Sequence, residues 1–254
     1  MKIGVSTNVE NINIAQSIGF DYIEVNASGI SALSDSEFEE KLAIVNAADI
    51  KCECFNILFP ATIALFGDNA ADSNELEKYL NHTFKRLQAL GGKIAVFGSG
   101  RSRTFPQNVS FFDAYRKLVD IATMIGEIAA KYGLIVVDEP LNPNESNVIR
   151  TVAEGAMLVA QVNSENLQLL ADGYHMFISD EPLDNIKLAG KLKHTHIATK
   201  DGRRYPTVQD ELLSEFFAQL SAIGYDERIS IEGRTDDFEK DAPAALAFLR
   251  KELS

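Results

Sequence analysis

Short apolar segments rich in β-branched residues alternate with amphipathic segments along the chain, and this alternation constrains the fold more than any other feature. Nearly continuous apolar runs are typical of parallel strands that are covered on both faces. Strands that alternate with helices indicate a parallel sheet. About eight such units in 254 residues predict an α/β fold, a (β/α)8 TIM barrel that forms a single domain over residues 1–254. We expect the strands at residues 2–6, 21–26, 51–56, 93–98, 134–139, 167–172, 194–198 and 229–232.

Helical periodicity fills the intervals between these runs. Before the fifth strand, for example, Tyr115, Leu118, Val119 and Ala122 follow the i, i+3, i+4, i+7 spacing of one helix face. Glycines close several of these segments just before the next strand, as is usual at helix C-termini. A doubly wound sheet is the alternative fold. It would normally contain fewer strands, and it gives no reason for the strands to end in residues of the same kind.

The charge balance limits the classes of partner. The chain has 24 basic and 37 acidic residues, a net charge of −13, which repels polyphosphate and disfavours nucleic-acid binding. No apolar run approaches the roughly 20 residues that span a bilayer, and the N-terminus lacks the apolar region of a secretory signal. We therefore expect a cytoplasmic protein that binds a small molecule, with no nucleic-acid or membrane partner. A homo-oligomer is left open.

Four consecutive predicted strands end in residues that can bind a cation, namely Glu139, Asp172, His196 and Glu232. Active residues of a (β/α)8 barrel lie at the carboxyl ends of its strands, so these side chains should converge. Three buried carboxylates are unfavourable without a compensating cation. Three carboxylates and one imidazole suit a divalent ion, with Mn²⁺ favoured, Mg²⁺ and Co²⁺ suitable, and Zn²⁺ less so. Each residue alone would more often be an ordinary loop residue, but their coincidence at four strand ends favours a metal site.

Strand alternation predicts which way neighbouring side chains point. If Glu139 faces the barrel interior, Asp138 faces outward, and if His196 faces inward, so does His194. Ser230 should then face inward with Glu232. The same rule places Cys52 and Cys54 on one face of the third strand, most simply as small buried apolar side chains.

Several segments in combination resemble one known superfamily. They are EPLNPNES, DGYH, HTHIA followed by GRRYP, and IEG, together with the opening MKIGVST and the segment FNILFP. These segments are similar to the xylose-isomerase-like TIM-barrel superfamily, also grouped as sugar phosphate isomerase/epimerase proteins. Within it they most resemble sugar epimerases of the D-tagatose/D-psicose 3-epimerase type. The segment Tyr205-Pro206-Thr207 departs from the family, which often continues with Pro-Gly there.

The resemblance implies roles for individual residues. It implies that the four residues at the strand ends are the metal ligands, and that Glu139 and Glu232 are also the catalytic acid/base pair. It implies substrate binding by Glu145, His175 and Arg203. Between His196 and Arg203 this chain has one residue more than the family. Arg204 therefore remains an alternative to Arg203.

The function that this resemblance implies is a metal-dependent sugar epimerase or aldose–ketose isomerase. Such an enzyme moves a proton next to a carbonyl through an enediolate, which a divalent ion stabilises as a Lewis acid. Two carboxylates on different sides of the substrate can remove the proton and return one on the other face. The substrate would be a sugar or polyol.

Other functions remain open on the sequence alone. A dehydratase or lyase of the inosose or dehydroshikimate type, or a hydroxypyruvate isomerase, would use the same metal site. A sugar-binding protein without turnover would not need both glutamates. A nuclease of the endonuclease IV type is disfavoured, because its metal cluster needs many histidines and this chain has four in total.

Less specific polar residues follow other predicted strands. Glu24 and Asn56 are expected at the mouth of the barrel, where they would contact substrate. Arg101 and Arg103 follow the turn Gly98-Ser99-Gly100, which lacks the spacing of a phosphate-binding loop, and a loop arginine is more often solvated. His82 is expected on the surface of a helix.

Overall fold

The computed structural model describes residues 1–190 and 192–253, and within them eight strands form a closed barrel. Each strand pairs in parallel with the strands before and after it, and the last pairs with the first. The predicted (β/α)8 barrel is therefore confirmed, and the doubly wound alternative is wrong. The strands are β1 (Lys2–Ser6), β2 (Tyr22–Asn26), β3 (Cys52–Asn56), β4 (Ile94–Phe97), β5 (Ile135–Asp138), β6 (Leu167–Asp172), β7 (Leu192–Ile197) and β8 (Arg228–Ile231).

Helices follow the strands and pack around the barrel. Short 3-10 helices occupy Val9–Asn11 and Leu183–Ala189. The predicted domain, 1–254, includes residues 191 and 254, which lie outside the described residues. The α-helices are α1 (Ile12–Ile18), α2 (Ala27–Ala32), α3 (Asp35–Ala47), α4 (Ser73–Ala89), α5 (Gly100–Arg103), α6 (Phe111–Lys131), α7 (Val152–Val162), α8 (Gly173–Ile178), α9 (Glu211–Ala222) and α10 (Phe238–Glu252).

The helices begin and pack as their sequences dictate, and α4 is an example. Asp72 accepts a hydrogen bond from the Glu75 backbone N–H, and the Glu75 side chain accepts one from the Asp72 N–H, so a capping box starts the helix. Leu76, Leu80 and Phe84 recur at intervals of four and are buried on one face. Among the described residues, no helix is long and apolar enough to cross a membrane.

The side chains inside the barrel form a core separate from the one between strands and helices. The inner core contains Tyr22, Cys54, Val96 and Val137, among others. The outer core contains the apolar residues that face the helices, including Ile229 and Ile231. Alternation between the two cores places Glu139 and Glu232, each one residue beyond the end of its strand, toward the interior.

A bulge in β3 overturns the expectation that the two cysteines share a face. Cys52 pairs with Ile23 and Cys54 with Glu24, so the register shifts and Glu53 is the additional residue. Cys52 accordingly lies in the outer core, and Cys54 lies in the inner core. Both are free, buried thiols, as the sequence predicted.

The end of the barrel opposite the carboxyl ends of the strands is closed by ion pairs. Glu53 lies 2.7 Å from Lys2 Nζ of β1 and 2.6 Å from Arg228 Nη2 of β8. The bulge thus directs the Glu53 carboxylate across the barrel to β1 and β8, which pair with each other. Charged groups at this end of a (β/α)8 barrel contribute to stability rather than to catalysis.

Gly4 of β1 provides a test of the inner packing. A Cβ at this position would lie 2.2 Å from the Tyr22 ring, so the ring occupies the space a side chain would need. We expect Gly4→Ala to lower the free energy of unfolding by about 1–3 kcal/mol, because the ring must move within a closed barrel. Chemical denaturation would measure this loss.

Gly29→Ala is the matched control. Gly29 lies in α2, where a Cβ would meet Asn26 Oδ1 at 3.5 Å, an ordinary contact. Alanine favours helix, so this variant should be as stable as the parent or slightly more stable. An equal effect of the two substitutions would contradict the account of the inner core.

Candidate metal centre and active site

The four cation-binding residues predicted at the strand ends come together at the carboxyl end of the barrel. Glu139, Asp172, His196 and Glu232 each offer one donor atom, and these atoms all lie within 4.8 Å of one another. They come from the ends of β5, β6, β7 and β8, which are consecutive around the barrel. Asp172 and His196 end their strands or lie next to the end, whereas Glu139 and Glu232 lie one residue beyond theirs.

Local backbone geometry makes room for these carboxylates. A Cβ on Gly98, just after β4, would lie 1.9 Å from Glu139 Oε2, so the absence of a side chain there leaves space for the carboxylate. Asp172 Oδ1 accepts a hydrogen bond of 2.8 Å from the Tyr174 N–H and caps α8. That bond leaves Oδ2 directed to the cluster.

The neighbouring outward-facing carboxylate has a structural partner. Asp138 is fully buried outside the barrel, and its Oδ1 accepts from Arg103 Nη1 at 2.7 Å. Arg103 also donates to the carbonyl oxygens of Phe97 and Glu139. Arg103 is thus fully buried and holds the ends of β4 and β5 together, rather than being a solvated loop residue as expected.

His196 joins the cluster to a second buried group. Its Nδ1 lies 3.0 Å from Glu139 Oε1 and 3.4 Å from Glu232 Oε2, and its Nε2 lies 2.9 Å from Glu24 Oε1. Burial alone would raise the pKa of Glu24, but the imidazoles of His196 and His194 hold the pKa of this carboxyl well below its usual range. An ionised carboxylate can only accept, so Nε2 carries the proton and Nδ1 faces the cluster.

The position of Glu24 differs from the one that the sequence predicts. It was expected at the mouth in contact with substrate, but it is fully buried beneath the cluster, with Oε2 accepting from His194 Nε2 at 2.9 Å. The network continues through Ser230 Oγ, 3.4 Å from His194 Nε2, to the hydroxyl of Tyr22 at 2.9 Å. The sequence predicts that both histidines face inward, and two inward imidazoles indicate a buried polar partner between them. That this partner is Glu24 depends on the register of β2, which the sequence does not show.

Asn56 likewise lies beside the cluster rather than in the open mouth. Its Nδ2 donates to Glu232 Oε1 at 2.7 Å and to Ser6 Oγ at 3.1 Å. It is 7% exposed. Asn56 thus fixes one oxygen of Glu232, so its contact is to this carboxylate.

The predicted substrate-binding residues surround the cluster on one side. His175 Nδ1 accepts from the Asn142 backbone N–H at 3.2 Å, which leaves Nε2 with a proton, 3.5 Å from Asp172 Oδ2. Glu145 accepts from Asn142 Nδ2 at 3.1 Å and is paired with Arg203 at 3.7 Å. Asn142, buried in the loop after β5, thus orients both residues; nothing in the sequence singled it out.

Of the two candidate arginines, only Arg203 contacts residues of the cluster. Arg203 is paired with Glu232 and lies 3.5 Å from Asp172 Oδ2, with its guanidinium 4.6 Å from the centre of the Tyr174 ring. Arg204 is exposed and paired with Asp236 instead. Arg203 is therefore the arginine that the structure brings to the cluster.

Neighbouring cations compensate the negative charges of the three carboxylates to different degrees. Burial raises the pKa of Asp172 to about 6, although Arg203 opposes the rise. Burial also raises the pKa of Glu139, against the hydrogen bond to His196. Burial acts on Glu232 in the same direction, but His196 and Arg203 hold the pKa of that carboxyl below its usual range. Protein cations thus compensate Glu232 more fully than the other two carboxylates.

This donor set fits a divalent cation. Three carboxylates and one imidazole nitrogen are ligands that Mn²⁺, Mg²⁺ and Co²⁺ accept. A cation among them would offset the cost of burying carboxylates that Arg203 and His196 compensate only in part. The second-sphere contact from Glu24 to His196 is of the kind that orients metal-binding histidines.

A cavity of about 580 Å³ opens above the cluster. Its lining includes Glu139 and Glu232, the three predicted substrate-binding residues Glu145, His175 and Arg203, and apolar side chains such as Phe59 and Leu141. The size is that of a small-molecule site. Both glutamates of the predicted catalytic pair therefore face the same cavity.

Comparison with known proteins identifies the family. The family described as "Xylose isomerase-like TIM barrel" matches residues 12–252. The chain belongs to this family. A 3-dehydro-D-guloside 4-epimerase of Escherichia coli (strain K12) is 27% identical over 98% of this chain and 99% of the enzyme. A D-psicose 3-epimerase of Agrobacterium fabrum is 27% identical over 74% of this chain and 66% of the enzyme.

Solved structures agree on the fold. A D-psicose 3-epimerase structure with D-fructose present superposes with a TM-score of 0.88 at 24% identity, over 100% of this chain and 99% of the other. An apo 3-keto-D-glucoside 4-epimerase of E. coli gives 0.82 at 21% identity, over 99% of each chain. At these identities the likeness supports the fold. The named relatives are sugar epimerases, which are isomerases, so the predicted enzyme class is confirmed.

The contact between Glu24 and His196 generates a prediction about metal affinity. We expect Glu24→Ala to weaken Mn²⁺ binding about 10–100-fold, because His196 loses the acceptor that fixes its tautomer and orientation. Calorimetric titration of the metal-free protein would measure the change.

Glu53→Ala is the control for the loss of a carboxylate that contacts two strands. Glu53 binds Lys2 and Arg228 at the opposite end of the barrel and touches none of the four cluster residues. Its variant should retain parental Mn²⁺ affinity while losing stability. If both variants fold and bind Mn²⁺ as the parent does, Glu24 has no role in orienting His196.

Proposed function

We propose that the protein is a divalent-metal-dependent sugar epimerase that moves a proton next to a carbonyl group. The observation that carries this proposal is the position of Glu139 and Glu232, which share a four-residue cluster and line one cavity. A protein that only bound a sugar would not need an acid/base pair in the same cavity. The family and the named epimerases among its relatives support the same reaction class.

Glu139, Asp172, His196 and Glu232 would hold the ion, for which we propose Mn²⁺. When bound, a divalent ion polarises the substrate carbonyl as a Lewis acid and so stabilises charge that develops on its oxygen. Glu24, through its contact with His196 Nε2, would keep Nδ1 available to the ion. Asn56 and Arg203 hold the carboxylate of Glu232 from two sides.

Proton transfer is assigned to the two glutamates. One carboxylate removes the proton from the carbon next to the carbonyl, which leaves an enediolate. The other carboxylic acid returns a proton to the opposite face of that carbon. Glu139 follows β5 and Glu232 follows β8, three strands further around the barrel, so the two groups approach the substrate from different walls. Epimerisation at one carbon requires such opposed groups.

The remaining side chains of the cavity orient the substrate. His175 carries its proton on Nε2 and can donate to a substrate oxygen. Arg203, whose guanidinium lies over the Tyr174 ring, can donate to a substrate oxygen through an N–H at its edge. Glu145, of which 41% of the side chain is exposed, can accept from a sugar hydroxyl. A cavity of about 580 Å³ has room for a monosaccharide or polyol.

Several expectations from the sequence stay predictions at this point. They are the preference for Mn²⁺ over Mg²⁺, Co²⁺ or Zn²⁺, the cytoplasmic location, the absence of a nucleic-acid partner and the homo-oligomer. The choice between epimerase and dehydratase is made by the experiment below, because loss of water from the substrate distinguishes them.

Substitution of the two glutamates tests the acid/base assignment. We expect Glu139→Gln and Glu232→Gln each to lower formation of the epimer by at least about 10²-fold, because proton removal on one face and return on the other need both carboxyl groups, and an amide can do neither. Ketohexoses and ketopentoses with Mn²⁺ in D₂O, followed by NMR, provide the measurement. Glu127→Gln, an exposed position of α6, is the control and should form the epimer as the parent does.

Two results would count against this assignment. Parental formation of the epimer in either glutamine variant would remove that residue from the acid/base pair. Formation of a dehydrated product by the parent would make the protein a dehydratase on the same site.

Removal of metal tests the dependence on a divalent ion. We expect treatment with a chelator to abolish exchange and added Mn²⁺ to restore it, because the enediolate oxygen then regains its stabilising charge. Elemental analysis must show that the treated protein is metal-free. Full exchange by protein shown to be metal-free would refute the metal dependence.

A further inference from the structure

The guanidinium groups of two cavity arginines have no partner in the part of the chain that the structure describes. The sequence contains ten arginines, all within the described residues. Seven have a guanidinium in contact with a carboxylate, a carbonyl oxygen or an aromatic ring. Across residues 1–190 and 192–253, Arg101, Arg150 and Arg234 make no such contact. Of these three, Arg101 and Arg234 both line the cavity.

The cavity is more positive than the rest of the protein. The whole chain has a net charge of −13, yet three arginines and three glutamates line the cavity in equal number. Arg203 alone contacts the acidic residues, through Glu232, Asp172 and Glu145. Arg101 and Arg234 are therefore not used to neutralise the cluster, and a divalent ion bound there would make the cavity more positive still.

The two arginines lie around the opening of the cavity and away from its floor. Arg101 is in α5 after β4, and Arg234 follows β8. In an eight-stranded barrel these strands are on opposite sides. Both arginines are exposed, whereas Asp172 and His196 at the floor are buried. A substrate whose reacting carbons lie at the cluster would extend its far end toward them.

Backbone contacts fix the position of Arg234. Its N–H donates to the Arg203 carbonyl oxygen at 2.6 Å, and Arg204 and Arg234 form a β-bridge. The segment that carries Arg234 is thus joined to the segment that carries Arg203. This contact holds the backbone of Arg234 at the opening of the cavity, independently of what its side chain binds.

We propose that the substrate carries an anionic group at the end far from its carbonyl, and that Arg101 and Arg234 bind this group at the opening of the cavity. The inference rests on the proposed function, which it extends by a substrate class. Guanidinium groups bind carboxylates and phosphates through paired hydrogen bonds, so either group would fit. A sugar acid or a sugar phosphate is accordingly preferred over a neutral sugar.

Matched substrates test the preference. D-Fructose, D-fructose 6-phosphate and D-fructuronate share a ketose end and differ at the sixth carbon, which is neutral, a phosphate or a carboxylate. We expect kcat/KM for deuterium incorporation with Mn²⁺ to be at least about 10-fold higher for one of the anionic sugars than for D-fructose, as expected for a well-formed charge-assisted contact. The better of the two identifies the group.

Arginine variants assign the preference to these residues. Arg101→Gln and Arg234→Gln should each reduce the ratio of anionic to neutral kcat/KM about 5–10-fold, through the loss of one charge-assisted contact. Arg150→Gln is the matched control, because Arg150 is likewise exposed and unpaired among the described residues but does not line the cavity. It should leave the ratio as it is in the parent.

A binding measurement keeps the inference testable if no sugar of the panel is turned over. Calorimetry with metal-free protein at low salt compares the Kd of D-fructose 6-phosphate and D-fructuronate with that of D-fructose. The anionic sugars should bind at least about 10-fold more tightly, and the difference should shrink in Arg101→Gln and Arg234→Gln but not in Arg150→Gln.

The outcomes separate this inference from the proposed function. Turnover of D-fructose with no gain from either anionic group would overturn the inference and leave the epimerase intact. Tight binding of an anionic sugar with no proton exchange on any substrate would support the anionic subsite and count against the epimerase. A preference that persists in both arginine variants would remove these residues from the subsite.

Discussion

The site depends on three carboxylates that lie within reach of one another, of which Glu139 and Asp172 are buried and Glu232 is partly buried. Like charges at this separation repel, and burial adds a desolvation cost, so the arrangement needs compensating cations. Arg203 and His196 compensate Glu232 most fully, while burial still raises the pKa of Glu139 and Asp172. A divalent ion among these groups would supply the remaining positive charge. The proposed cation would offset the cost of the same burial that removes Asp172 and His196 from solvent at the cavity floor.

The barrel makes this convergence possible because its strands are parallel and closed. The carboxyl ends of β5 to β8 meet at one edge, and alternation aims every second side chain inward. Below the cluster, Glu24 bridges His196 and His194, and Ser230 and Tyr22 extend the network across the interior. A rigid polar layer thus supports the ligand residues from beneath, while the loops after the strands shape the cavity above. The candidate ligand residues and the polar residues that support them thus occupy adjacent layers of the barrel.

Much of this could be predicted from the sequence because strand-end position and alternation are local rules. They led to the barrel, to the residues that form the cluster and to the outward orientation of Asp138. The position of Glu24 and the separation of Cys52 from Cys54 could not be predicted, because both depend on strand register, and a one-residue bulge at Glu53 changes which face a side chain occupies. Asn142 lies in a loop without periodicity, so its contact with His175 was visible only in three dimensions. Arg103 has no local pattern to separate a buried arginine from a solvated one.

The most direct test of the account is anomalous diffraction at the manganese edge from crystals of the metal-free protein equilibrated with Mn²⁺. The account predicts one strong peak bonded to Glu139, Asp172, Glu232 and Nδ1 of His196, with Glu24 still on Nε2. A peak bound instead by Glu24, His194 and His196, which form the other cluster of potential ligands among the described residues, would contradict it. So would the absence of any peak at the carboxyl end of the barrel under saturating Mn²⁺.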